Sequence, residues 1–222
     1  MKKSCIYCGN TEDLTKDHIP PKTLFPKPRP SNLITVPCCK NCNGSFSLDD
    51  EYFQVMLSLR IDVHKKETIQ KNWGKILRGL KRTESAGFYK SIMNSIKKQD
   101  LKTQNGIYLG KISTYDINME RVNNVTDRVI QGLYFKITGN SIPEGYDNFS
   151  TIYRRDNIDI QSAKAFQMFI NTLAPEKENK VGDVFSYRFK QMDFDLNTCL
   201  FYFSIYANFE FFGMVSKIEE DN

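Results

Sequence analysis

Two pairs of cysteines, Cys5-Ile-Tyr-Cys8 and Cys39-Lys-Asn-Cys42, constrain this chain more than any other feature. Thiolates separated by two residues can close on one ion, and two such pairs fill the four positions of a tetrahedral site. Gly9 follows the first pair and lets the backbone turn around the ion. Five of the six cysteines fall within the first 42 residues, in a stretch rich in proline and poor in long apolar runs. A metal there replaces the hydrophobic core that the segment cannot build. Cys38 offers another route to the ion, as Cys38-x3-Cys42, whereas Cys39 restores the two-residue spacer and leaves Cys38 and Cys199 as packing residues. The reading is a structural Zn2+ on Cys5, Cys8, Cys39 and Cys42. Thiols used in this way imply a reducing compartment, and Met-Lys-Lys-Ser-Cys at the N-terminus carries no apolar run of a secretory signal, so the expected location is cytoplasmic.

At 222 residues, with 40% hydrophobic and 26% charged side chains, the chain can bury a sizeable core, and its composition excludes both a disordered chain and a membrane protein. The formal charge of +5 is unevenly placed. Residues 1–98 hold 18 basic and 9 acidic side chains, and the remainder hold 13 and 17. A basic half joined to a mildly acidic one points to a polyanionic partner for the first.

Composition and periodicity divide the chain at 1–60, 61–99 and 100–222, and predict an α+β protein. Residues from about Asp50 to Lys98 read as helical, with Ser47 and Asp50 placed as a capping box. Ile69, Trp73, Ile76, Leu77 and Leu80 form an apolar face opposite Lys71, Lys75, Arg78, Lys81 and Arg82. Helices are expected over 117–137 and 160–173. Strands are expected over 149–153, 184–189, 200–206 and 209–215, with Ala207-Asn208 turning the last two into a hairpin.

Between the cysteine pairs lies Asp17-His18-Ile19-Pro20-Pro21, followed by a loop carrying Lys22, Lys27 and Arg29 and by Ser31-Asn32-Leu33. Once four cysteines satisfy the zinc, His18 is free for another task. A carboxylate beside an imidazole, with an amide just past the second pair, suits a hydrated Mg2+ and a general base for phosphodiester hydrolysis. An imidazole of pKa about 6.5 can take a proton from water at neutral pH.

The order Cys-x2-Cys, Asp-His-x-x-Pro, Asn-Leu, Cys-x2-Cys-Asn over residues 3–55 resembles the HNH endonucleases. The resemblance implies a zinc-stapled ββα-metal, treble-clef-like module, followed here by a helical region and a mixed α/β C-terminal domain. It implies His18 as general base, Asp17 and Asn43 as ligands of a catalytic Mg2+ or Mn2+, and Asn32 as the residue that pins the inter-strand loop and orients the base. Cleavage in this family typically leaves a 5′-phosphate, and a chain of this size suits restriction or antiphage defence. Lys22, Lys27 and Arg29 are then expected to contact phosphates, as are Lys71, Lys75 and Arg78. The family often has Lys where Phe46 stands. Nucleic acid, most readily DNA, is the expected partner, with a homodimer or a companion protein through the C-terminal part. The competing expectation is a zinc-knuckle module that binds nucleic acid or protein without catalysis. His64 reads as a helix-end residue, and the aromatic C-terminus as core.

Overall fold

The computed structural model describes residues 4–82, 86–103, 105–153 and 160–219. The reading of the N-terminal Met1–Lys3 lies outside them. The chain opens with a turn in which the Cys5 amide bonds Asn10 O at 2.8 Å and the Gly9 amide bonds Cys5 O at 2.9 Å, Gly9 taking φ +74°. Strands β1 (Leu14–Ile19) and β2 (Ile34–Cys39) pair antiparallel, from Leu14 against Cys39 to Ile19 against Ile34. Helix α1 (Lys40–Ser45) starts directly from β2, and Cys39 is its N-cap, its sulfur accepting the Cys42 amide at 3.5 Å. The order is strand, strand, helix, with a cysteine pair at each end.

The expected helical stretch divides into α2 (Ser47–Leu59), α3 (Ile61–His64), α4 (Glu67–Leu80) and α5 (Ala86–Ser95). The capping box is not formed: Ser47 Oγ donates to Gly44 O at 2.9 Å, and the N-cap position falls on Phe46. On α4 the buried residues are Ile69, Asn72, Ile76 and Leu80. Leu77 is largely exposed, and Asn72 occupies the core face because its amide reaches Leu24 O at 3.4 Å. Lys97 and Lys98, expected at a helix end, instead begin β3 (Lys97–Lys102), which pairs with β4 (Tyr108–Thr114) in a hairpin that periodicity did not reveal. The division at 99/100 therefore falls inside a strand.

Helix α6 (Met119–Thr138) is the axis of the fold. Asn118 caps it, its side chain accepting the Arg121 amide at 3.1 Å, and Gly139 ends it in the left-handed region at φ +75°. One side of α6 lies on a sheet of order β5-β9-β8-β7-β6, formed by β5 (Tyr146–Ile152), β6 (Asn179–Val181), β7 (Phe185–Met192), β8 (Asp195–Ile205) and β9 (Phe209–Lys217). The last pair is the expected hairpin, Ile205 facing Phe209. Helix α7 (Ile160–Leu173) sends Phe166 and Phe169 onto Phe212, with ring centroids 5.2 Å away in both cases. No helix among the described residues is long and apolar enough to cross a membrane.

The other side of α6 packs on β1, β2 and α2, so Ile19, Leu24, Phe25, Phe53, Leu133, Phe203 and Phe211 all belong to one hydrophobic core. The divisions read from composition thus do not separate packing units. Two glycines make the close approach possible. A Cβ on Gly132 would lie 2.3 Å from Ile19 Cγ1, and one on Gly213 would lie 2.5 Å from Ile130 Cδ1. Tyr206 Oη adds a buried bond to Leu24 O at 2.9 Å. Gly132→Ala should lower stability to urea by about 1–3 kcal/mol, against the gain of about 1 kcal/mol that alanine brings to a helix interior. The double variant with Ile19→Ala should lose less than the sum of its parts.

Candidate functional site

The four cysteines assemble. One sulfur from each of Cys5, Cys8, Cys39 and Cys42 lies within 4.8 Å of every other, and Cys8 and Cys39 approach to 3.6 Å. Four thiols at this separation could hold a metal such as zinc, and they match the closed structural sites in which no position is left for substrate. Cys38 does not join them. Its sulfur lies against Cys39 O at 3.4 Å, and burial, ahead of the neighbouring Cys5, pushes its thiol up to about 12. The choice between Cys38 and Cys39 thus falls to Cys39 because adjacent residues of β2 point to opposite faces.

The same alternation separates Asp17 from His18. Asp17 faces inward and is 5% exposed. Its Oδ2 accepts Tyr7 Oη at 2.8 Å and lies 3.4 Å from Arg128 Nε, while its Oδ1 accepts the His18 amide at 2.8 Å. Arg128, 3% exposed, also donates through Nη2 to Asp50 and stacks over the Phe46 ring at 4.2 Å. Phe46 is a lid on this buried cation. Asp49 pairs with Arg121 at 2.6 Å, so both acids at the start of α2 hold α6 in place.

Asn43, on α1, donates through Nδ2 to Thr15 Oγ1 at 2.9 Å and to Lys16 O at 3.4 Å. The divalent ion implied for Asp17 and Asn43 does not fit this arrangement. Asp17 Oδ2 accepts the Tyr7 phenol and lies 3.4 Å from the Arg128 guanidinium, so a second cation would meet Arg128 at close range. Asp17 stands here in an ion pair with Arg128 and a hydrogen bond with Tyr7. The Asn32 amide donates to Lys180 O at 2.9 Å and ties its loop to β6.

His18 is partly buried, and the charges acting on it are cations. Burial lowers its imidazole pKa below the ordinary value, Lys22 lowers it further, Asp17 opposes, and Arg29 and Lys16 add to the lowering. Arg29 is steadied by a bond from Nε to Lys22 O at 3.3 Å. Helix α4 supplies Lys75 to the same region: burial lowers its ammonium pKa, followed by Arg29, Lys27, Lys22 and Arg82. Lys22, Lys27 and Arg29 of the loop and Lys75 and Arg82 from the α4 stripe, expected separately, therefore act on one another beside the His18 imidazole. Lys71 is drawn off by Glu67 at 2.7 Å, and Arg78 lies exposed farther along α4. His64 packs edge-on against Trp73 at 4.5 Å, a structural contact.

Sequence reasoning missed Arg128 and Tyr7. Arg128 carried a signal, since it stands at helical spacing from Val125 and Gly132 on the apolar side of α6, where a charge requires a buried partner. Tyr7 carried none beyond its place between two cysteines. Comparison of the chain with protein-family models, curated proteins and solved structures finds no match. Cys39→Ser should abolish binding of one equivalent of zinc, and Cys38→Ser should leave it intact, as read by metal analysis after gel filtration. Chelation should also loosen the N-terminal region, as read by amide exchange over residues 5–19.

Proposed function

We propose that this chain binds nucleic acid across the face formed by Lys16, Lys22, Lys27, Arg29 and Lys75, and hydrolyses a phosphodiester there with His18 as general base. One observation carries the reading: an imidazole whose pKa is lowered stands among cations drawn from the loop and from α4. Nothing in the packing of the core calls for that many like charges in one place, and a phosphodiester backbone relieves their repulsion. The neutral imidazole takes a proton from water as the water oxygen bonds to phosphorus. The bond from phosphorus to the departing sugar oxygen breaks, that oxygen takes a proton from solvent, and the neighbouring cations stabilise the negative charge that gathers on the phosphate oxygens. The four-thiol cluster supports the reading as the frame that holds β1 against α1. The likeness of the motif order to HNH endonucleases supports it too, and makes DNA the substrate of first choice.

A second reading, a nucleic-acid grip without hydrolysis, is favoured by Asp17, whose carboxylate is closed off by Arg128 and Tyr7. Plasmid DNA and RNA cleavage, assayed with and without Mg2+ or Mn2+, separates the two. His18→Ala should lower cleavage by about 100-fold or more, with zinc content and binding unchanged. Retained binding with no cleavage by the wild-type chain would establish the grip instead. In the active chain, the acid limb of the pH–rate profile should have its midpoint below the ordinary histidine value of about 6.5. The sign follows from the charged imidazole being disfavoured, so the base stays deprotonated to lower pH.

A further inference from the structure

The β3–β4 hairpin stands apart from everything else in the fold. Among the described residues, none from 97 to 114 belongs to a hydrophobic core, every residue of β3 is exposed, and no further strand pairs with either β3 or β4. A two-stranded ribbon in which β3 is exposed throughout and one face of β4 is only half-buried is marginal in water, so its retention calls for something to lie against it.

The register shows what chemistry it offers. Lys98 faces Ser113, Asp100 faces Lys111 and Lys102 faces Tyr108. By strand alternation Lys98, Asp100, Lys102 and Lys111 share one face, three cations to one carboxylate. Gly110, Ile112 and Thr114 lie on the other face and are the less exposed residues of β4. Lys97 is set aside by its pairing with Asp116 at 3.4 Å. At the tip, Ile107, Tyr108 and Leu109 are 63%, 55% and 60% exposed.

We propose that this ribbon is a second nucleic-acid contact, laid into the major groove of a double-stranded substrate. The groove is about 12 Å wide and admits a two-stranded ribbon. Lys98, Lys102 and Lys111 meet phosphates at its walls, and Tyr108 meets base edges at its floor. Lysines along both strands also discourage the edge-to-edge pairing through which a second copy would add. Charge complementarity thus favours a polyanion over another protein strand. The inference rests on the nucleic-acid reading above and deepens it by naming a duplex as the substrate class.

The test is duplex and single-strand DNA binding by the full chain at several salt concentrations, comparing wild type with a Lys98→Gln, Lys102→Gln, Lys111→Gln variant. For duplex, the slope of log affinity against log salt should become shallower by about 2–3, with a smaller change for single strands. A second variant, in which residues 99–112 are replaced by an Asn-Gly turn between the facing Lys98 and Ser113, removes Lys102 and Lys111 and should make the slope shallower by about 2. An unchanged slope in both variants, with wild type still binding and His18-dependent cleavage intact, overturns the ribbon contact alone. A wild-type chain that binds no nucleic acid overturns both readings. A change in sedimentation mass without a change in slope makes the ribbon a contact between copies and overturns the proposal.

Discussion

A guanidinium withdrawn from water must be surrounded by negative charge, and the side chain of Arg128 imposes that demand at the centre of this molecule. It draws Asp17 from β1 and Asp50 from α2, and it lies over the ring of Phe46. Three elements of the N-terminal region are thereby held to α6, a helix that the chain supplies only much later. Removing one partner of such a group leaves the rest buried and uncompensated, which is far costlier than the pairing is favourable. The arrangement is therefore a constraint on where elements sit more than a source of stability.

The direction of His18 depends on that constraint. Neighbouring residues of a strand point to opposite faces, so an Asp17 anchored inward sends His18 outward. Outward is where the loop of Lys22 and Arg29 and the flank of α4 bring their charges. The cysteine cluster secures the ends of the same hairpin, with one pair ahead of β1 and the other at the junction of β2 and α1. Thiol cluster, buried arginine and half-buried imidazole thus belong to one mechanical unit, in which the first two supports fix the third.

The C-terminal sheet is part of that unit. The contact between Gly132 and Ile19 brings α6 against β1 at backbone distance, Gly213 does the same for Ile130 on the sheet side, and Asn32 and Tyr206 bridge the loop to the sheet. A basic N-terminal half and a mildly acidic C-terminal half differ in charge without differing in packing. The charge asymmetry is a property of the surface, while the core runs through both halves.

Features set by short-range spacing were legible in the sequence: the four sulfur ligands, the helices of 119–138 and 160–173, and the hairpin turned at Ala207-Asn208. Each depends on residues close together along the chain, where helical or strand period and ligand spacing act directly. The basic residues of the loop and of α4 were legible as charges, but not as one cluster. The tertiary structure alone decided that Asp17 meets Arg128, that Asn32 meets Lys180 and that the charge of Arg29 acts on Lys75. It also decided that β3 and β4 form a ribbon with no fully buried face, because strands that bury so little carry only a weak alternation to read. A side chain's partner is chosen by which elements the core brings together, and that choice lies in packing across the whole chain, where no local pattern records it.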